Sequence, residues 1–163
     1  MNTGGCSDTH TDRRFCSIEV EYSVENMPAS HTIDTERNLI TTVWSGEAND
    51  AEMCDSLTKY QQDIRSDPEY CSYNEIVDFS KASGFKITTE GLRKLVQIAS
   101  AGDNQEFRTK MAIIVSAPVA YGLARMYEVY RSLIPKVSKE IRIFRQYESA
   151  LDWLDGRIHA DSD

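Results

Sequence analysis

Apolar residues recur along this chain with two different periods, and each change of period marks an element. Over residues 15–24, Cys16, Ile18, Val20 and Tyr22 alternate with Ser17, Glu19 and Glu21, and a period of two with one apolar face predicts a half-buried strand. After a turn at Glu25-Asn26-Met27-Pro28, residues 31–35 and 39–45 predict two more short strands, joined at Glu36-Arg37-Asn38 and closed by Gly46. Three short strands with polar joints form an antiparallel meander.

The period then lengthens. Asn49, with Glu52 three residues on, has the form of a capping box. Met53, Leu57, Tyr60 and Ile64 follow on one helical stripe, with Cys54 beside it, as far as Asp67-Pro68, where the residue before proline leaves the α region. Residues 73–80 predict a strand, followed by a loop over 81–86 with a turn at Ser83-Gly84. Thr88 caps a second helix with an inner face of Leu92, Leu95, Val96 and Ala99; Gly102 suits the left-handed position past its end, and Asp103 and Glu106 suit one short extra turn.

The stretch 108–128 is the most apolar and the most clearly patterned. Residues 111–115 are apolar on both faces, as in an internal strand covered by helices on both sides. Pro118 fits a first helical position, where its missing N–H costs nothing, and Val119, Leu123, Met126, Tyr130 and Ile134 predict the buried stripe of a third helix, with Arg125 and Arg131 turned away from it. Pro135 stops this helix. Ile141 and Ile143 alternate with Arg142 and Phe144 in a last strand, and Ala150, Leu151, Leu154 and Ile158 form a last amphipathic helix with Trp153 at its margin and Gly156 near its end.

The order β-β-β-α-β-α-β-α-β-α predicts an α/β fold: a mixed sheet with antiparallel N-terminal strands, a parallel βαβ core and about four packed helices. The basic last strand, over residues 140–146, belongs near an edge, where charge discourages further pairing. The 163 residues fit one domain over 15–158, with a mobile tail at 1–14 and a short one at 159–163.

Composition narrows the function more by exclusion than by assertion. Net charge is −8, which disfavours nonspecific contact with nucleic acid. The charge is uneven: residues 1–50 hold three Lys/Arg against nine Asp/Glu, and residues 108–145 hold eight against Glu128 and Glu140, so a basic side is expected around the third helix and last strand. The start of the chain carries neither a basic segment nor a hydrophobic one, and the longest apolar run, 111–124, is interrupted by Ser116, Pro118 and Gly122. The expectation is a cytoplasmic chain without a membrane span. Cys6, Cys16, Cys54 and Cys71 form no C-x-x-C pair, and His10, His31 and His159 lack zinc-site spacing. No metal and no cofactor are expected, and the thiols read as structural.

The segments Y-G-L-A-R-M-Y-E (121–128) and I-R-I-F-R-Q-Y-E-S-A-L-D-W-L (141–154), with Gly46-Glu47, V-D-F-S (77–80) and the final A-L-x-W-L, resemble STAS-like proteins of the bacterial anti-anti-sigma type. These are the sporulation anti-sigma-factor antagonists, related in fold to lipid-transfer domains of the CRAL-TRIO kind. The resemblance spans residues 33–154 and rests on packing motifs, which speak to fold before function. It implies a STAS-like sheet and a non-catalytic regulatory or binding domain. The D-S-S-G turn in which such antagonists are phosphorylated is absent; the corresponding region, 80–92, offers the hydroxyl pair Thr88 and Thr89.

Candidate sites follow from these elements. Thr88 and Thr89 lie at a helix N-terminus, where phosphate would be favoured, and where an N-cap is the plainer role. Ser116 stands at a strand-to-helix turn but lacks the glycines of a nucleophile elbow. Glu75 and Asp78 on a strand are a candidate acid and base, but their alternation with Ile76 and Val77 makes strand-edge or turn-capping carboxylates the plainer reading. Tyr121, Arg125, Tyr127 and Arg131 on the third helix, with Arg142 and Arg145 on the last strand, combine the aromatic and guanidinium groups that anchor interfaces. No phosphate loop, H-E-x-x-H or C-x-x-C motif appears. Two readings result, neither of them enzymatic, with an uncharacterised enzyme ranked third behind them. One is a protein-interaction module, engaging a partner or itself, working through the third helix and the neighbouring strand. The other is binding of a lipid-like or other apolar small molecule in a groove between helices and sheet. An apolar cavity behind the third helix favours the second; a filled core with an exposed aromatic patch favours the first.

Overall fold

The computed structural model describes residues 19–22 and 28–157. The expectations placed on residues 1–18, 23–27 and 158–163, including both tails, Cys6, Cys16, His10 and Ile158, lie outside the described residues.

Six strands lie side by side in chain order: β1 (Glu19–Tyr22), β2 (Ala29–Asp34), β3 (Leu39–Asn49), β4 (Asn74–Lys86), β5 (Thr109–Ile114) and β6 (Lys139–Phe144). The pairs β1–β2 and β2–β3 are antiparallel, and every later pair is parallel. Helices α1 (Asp50–Tyr60), α2 (Thr89–Ala101) and α3 (Pro118–Ser132) connect the parallel strands, and α4 (Tyr147–Leu154) follows β6. The predicted α/β layout is therefore present, with β5 inside and β6 at an edge.

The strand order has a consequence for where a site can lie. Right-handed crossovers between strands that never reverse direction of travel all fall on one side of the sheet. The side chains agree: Met111, Ile113 and Val115 pack with Ala120 and Ala124 of α3, and Ile33 and Ile40 pack with Tyr60 of α1. The alternate residues Leu39, Ile76, Ala112 and Ile114 meet Ala150 and Trp153 of α4 on the other face. With no reversal among the parallel strands there is no switch-point crevice of the doubly wound kind. Space for a ligand has to come from the helix layer itself.

The helix starts follow the sequence. Asn49 accepts a hydrogen bond from the Glu52 N–H at 3.0 Å, Thr88 accepts one from the Gly91 N–H at 3.0 Å, and Pro118 occupies the first turn of α3. Several ends do not. Gly46 does not close β3; it sits at φ +88° beside register shifts between Val43 and Ser45 and between Gly46 and Glu47, and the strand continues to Asn49. It is a bulge rather than a stop. The turn expected at Ser83-Gly84 is likewise strand, with Gly84 opposite Glu47 and Lys86 opposite Asn49. These two tracts satisfy each other's backbone groups, with Ala48, Ala82 and Phe85 as their inward residues.

Gly102 is not left-handed, since its φ is −91°. Glycine is required there by a close approach: a Cβ would lie 2.3 Å from Nε2 of Gln61, which donates to the Ile98 carbonyl at 2.8 Å and so caps the C-terminus of α2. The first helix changes to a π turn over Gln61–Arg65, and a short 3-10 turn over Pro68–Tyr70 precedes β4. The short extra turn forms at Gln105 and Glu106, where Asn104 rather than Asp103 accepts from the Glu106 N–H at 2.9 Å. Trp153, expected at the margin of α4, is buried in its core.

Candidate functional site

The third helix is rotated from the stripe expected of it. Ala120, Ala124 and Arg131 are the residues it buries, and Val119, Met126, Val129 and Leu133 are exposed on its outer side. Arg131 explains the rotation. Its guanidinium donates to Asp103 and, at 2.6 Å, to the Ser100 hydroxyl, and a charge satisfied only inside the protein turns the helix to reach its partners.

This rotation presents two alanines to the sheet where large side chains were expected. A cavity of about 150 Å³ lies between the helix layer and the sheet. Strands contribute His31, Trp44, Glu75, Val77, Phe79, Met111 and Ile113; helices contribute Met53, Ser56, Leu57 and Tyr60 from α1, Leu92 and Leu95 from α2, and Ala120, Leu123, Ala124 and Tyr127 from α3. Most of this wall is hydrocarbon or aromatic. The volume matches engineered apolar cavities of about 150 Å³ that take up one benzene, and falls below the roughly 300 Å³ at which drug-sized sites begin.

Its few polar groups divide into satisfied and unsatisfied. The ring of His31 pairs through Nδ1 with the Thr42 hydroxyl at 2.9 Å, the two residues lying directly opposite across β2 and β3, as cross-strand neighbours do. Burial lowers the His31 pKa, against the opposing pull of Glu75 and Asp63, so the ring is neutral at pH 7. Burial alone would raise the pKa of Glu75, but Lys139 and Arg65 together outweigh it and hold the carboxyl below its ordinary value. Glu75 forms an ion pair with Lys139 and another with Arg65 at 3.6 Å. Lys139 in turn stands 3.9 Å from Asp103, the partner of Arg131. Of these five buried charges, Glu75 is the one that reaches the cavity wall.

The hydroxyl of Tyr60 is placed beside that carboxylate; burial first, then Glu75, raises its pKa well above the ordinary tyrosine value. Tyr127 is pushed up to about 12, chiefly by burial. Three polar atoms at the cavity have no hydrogen-bond partner among the described residues, the indole Nε1 of Trp44 and the hydroxyls of Ser56 and Tyr60; of these only the Tyr60 hydroxyl has a carboxylate beside it. An orphaned buried polar atom costs about 1–3 kcal/mol, and the two with no carboxylate beside them, on Trp44 and Ser56, point to a ligand that satisfies them.

The residues singled out from sequence do not assemble into one face. Tyr127 and Arg131 turn inward, contrary to the outward face expected of them. Arg125 remains on the surface, paired with Glu128 at 2.6 Å. Arg145 lies over the ring of Tyr121 at 4.6 Å, and Arg142 lies over Trp153 at 5.3 Å on the opposite face of the sheet. The side-chain hydroxyl of Thr88 is engaged twice, accepting from Gly91 and donating to Asp50 at 2.6 Å, so a phosphate there would meet a carboxylate; Thr89 is exposed. Ser116 is exposed, with its carbonyl accepting from Arg145. Asp78 holds the Ser80 N–H at 2.8 Å. Cys54 and Cys71 are free thiols, and burial raises the Cys54 pKa, which makes it a poor nucleophile at neutral pH.

Among the described residues no cluster of His, Cys, Asp or Glu is arranged to hold a metal ion, and no helix is long and apolar enough to cross a membrane. Trp44 and Ser56 were not singled out from sequence, and Tyr60 only as part of the apolar stripe of the first helix. The readable signal was the Ala120–Ala124 pair, one helical turn apart on a helix whose other apolar residues are large.

No protein-family model matches the chain, and no match is found among curated proteins. Among solved structures, the chain is similar to an uncharacterized protein of the DUF3478 family, with a SpoIIAA-like fold, from Shewanella loihica PV-4. The two share 14% sequence identity over 83% of this chain and 91% of that one, with a TM-score of 0.44.

Proposed function

We propose that this chain is a non-catalytic binding domain that takes a small apolar molecule between its helix layer and its sheet. The observation that carries this reading is the cavity of about 150 Å³ behind α3, apolar but for a few polar groups. The wall is almost wholly apolar, so a ligand that fills the space removes that surface from water, which is favourable in proportion to the apolar area covered. The volume narrows the lipid-like ligand expected from sequence to something nearer a single ring. A binding role agrees with what the STAS-like resemblance implies, and it needs neither metal nor cofactor.

The test is thermal unfolding with toluene. Saturating toluene should raise the Tm of the wild type and leave that of Ala124→Leu, whose added side chain occupies the cavity, unmoved. Equal responses of the two proteins, or no response from the wild type, would sink the reading.

One observation favours a second reading, self-association. Val119, Gly122, Met126, Val129 and Leu133 recur at alternating steps of three and four along the outside of α3, and the four large ones are exposed. That spacing is the seam of paired helices, and nothing lies within 4 Å of a Cβ built at Gly122, so a second copy's α3 can approach closely there. A sedimentation series should show dimers of the wild type and monomers of Val129→Glu; wild type that stays monomeric throughout rules this out.

A further inference from the structure

We propose that the cavity selects a neutral molecule, one ring or a short branched chain in size, bearing one hydrogen-bond-accepting oxygen that meets the indole N–H of Trp44 and the hydroxyl of Ser56. This inference rests on the binding reading above and adds the chemistry of the ligand.

The size limit comes from the volume of about 150 Å³, which accommodates one benzene-sized body. The demand for an acceptor comes from Trp44, since an indole N–H can only donate. Trp44 and Ser56 are both more than nine-tenths buried, and neither Nε1 nor Oγ finds a partner among the described residues. Ser56 either donates or accepts, so a hydroxyl or a carbonyl oxygen has the chemistry that both groups require.

Neutrality follows from the charges around the cavity. An anion would enter beside the Glu75 carboxylate, and the two cations nearest to it, Lys139 and Arg65, are already committed to Glu75 and do not line the wall. A cation would enter beside a buried cluster that already carries three positive groups, Arg65, Lys139 and Arg131, against Glu75 and Asp103. Either charge would be desolvated without a free partner, which is prohibitive at this burial. A neutral oxygen avoids both costs.

The experiment uses the full chain and four probes that share one ring: benzyl alcohol, toluene, benzoate and benzylammonium. Each is titrated while the indole N–H resonances are followed by NMR, with Trp44 distinguished from Trp153 by the Trp44→Phe variant. Benzyl alcohol should bind about tenfold or more tighter than either charged probe and several-fold tighter than toluene, shifting the Trp44 indole proton downfield. In Trp44→Phe and Ser56→Ala the preference for benzyl alcohol over toluene should shrink while toluene binding persists, which also shows that the variants are folded. If benzoate or benzylammonium binds best, or if benzyl alcohol and toluene bind alike in the wild type, the ligand class is wrong although the cavity binds. If none of the four perturbs residues lining the cavity, the binding reading itself fails, and this inference with it.

Discussion

Asp103, in the loop after α2, and Arg131, at the end of α3, meet at 2.5 Å with side chains only 8% and 2% exposed. Removing one partner of such a pair leaves a buried charge unanswered, at about 3–5 kcal/mol. Asp103→Ala should therefore destabilise the protein by about that amount in urea unfolding. The double variant Asp103→Leu with Arg131→Met should recover most of the loss, since apolar replacement of a buried pair is often neutral or better. The same pair sets the rotation of α3, so these variants should also change the cavity and weaken toluene binding.

That rotation is also where sequence and structure part. The starts of the first three helices were legible, because capping chemistry is local: Asn49, Thr88 and Pro118 stand at their predicted places. The sheet's order and its antiparallel-to-parallel change were legible too, because they follow from alternation and crossover rules. The facing of α3 was not. Its apolar letters form two competing stripes, and the choice is made by Asp103 and Ser100, some thirty residues away in sequence. The cavity is a consequence of that choice, so it too was hidden, except for the spacing of Ala120 and Ala124. The continuation of β3 and β4 past Gly46 and Ser80 was missed because its inward residues, Ala48, Ala82 and Phe85, are few and are interrupted by Gly46, Ser83 and Gly84, which read as turn signals.

Stability should fall with acid in two stages. His31 has a folded pKa below its ordinary value of 6.5, so its contribution is full above pH 6.5 and is lost as the pH falls toward the folded pKa. Glu75 has a folded pKa below 4.5, so its contribution is full above pH 4.5 and is lost as the pH falls through the lower value. Chemical unfolding measured from neutral into acid separates the two: His31→Gln should abolish the first stage and keep the second. A wild-type stability that stays flat from above 6.5 to 4.5 would show that His31 is not held neutral.

The alkaline limb has the opposite sign. Tyr127 is raised from 10 to about 12, so its contribution is present below pH 10 and is lost as the pH rises toward 12. Tyr127→Phe should flatten the fall in stability across that window, measured by urea unfolding against pH. If the variant follows the wild type, the Tyr127 phenol is not shielded as its burial implies.

Gly102 and Gln61 give a sharper packing test than any core residue, because the requirement is for the absence of one methyl group. A Cβ at Gly102 would lie 2.3 Å from Gln61 Nε2 and 2.6 Å from its Cδ. In Gly102→Ala the amide must therefore leave the α2 carbonyls of Ile98 and Ala99 that it now holds. Losing such hydrogen bonds costs about 0.5–1.5 kcal/mol, so Gly102→Ala and Gln61→Ala should destabilise by similar amounts in that range. The two changes break the same contact, so their effects should not add. The double variant should be about as stable as the less stable single one, because residues that share one interaction lose it only once. Additive losses would mean that Gly102 is required by its own backbone rather than by the side chain lying over it.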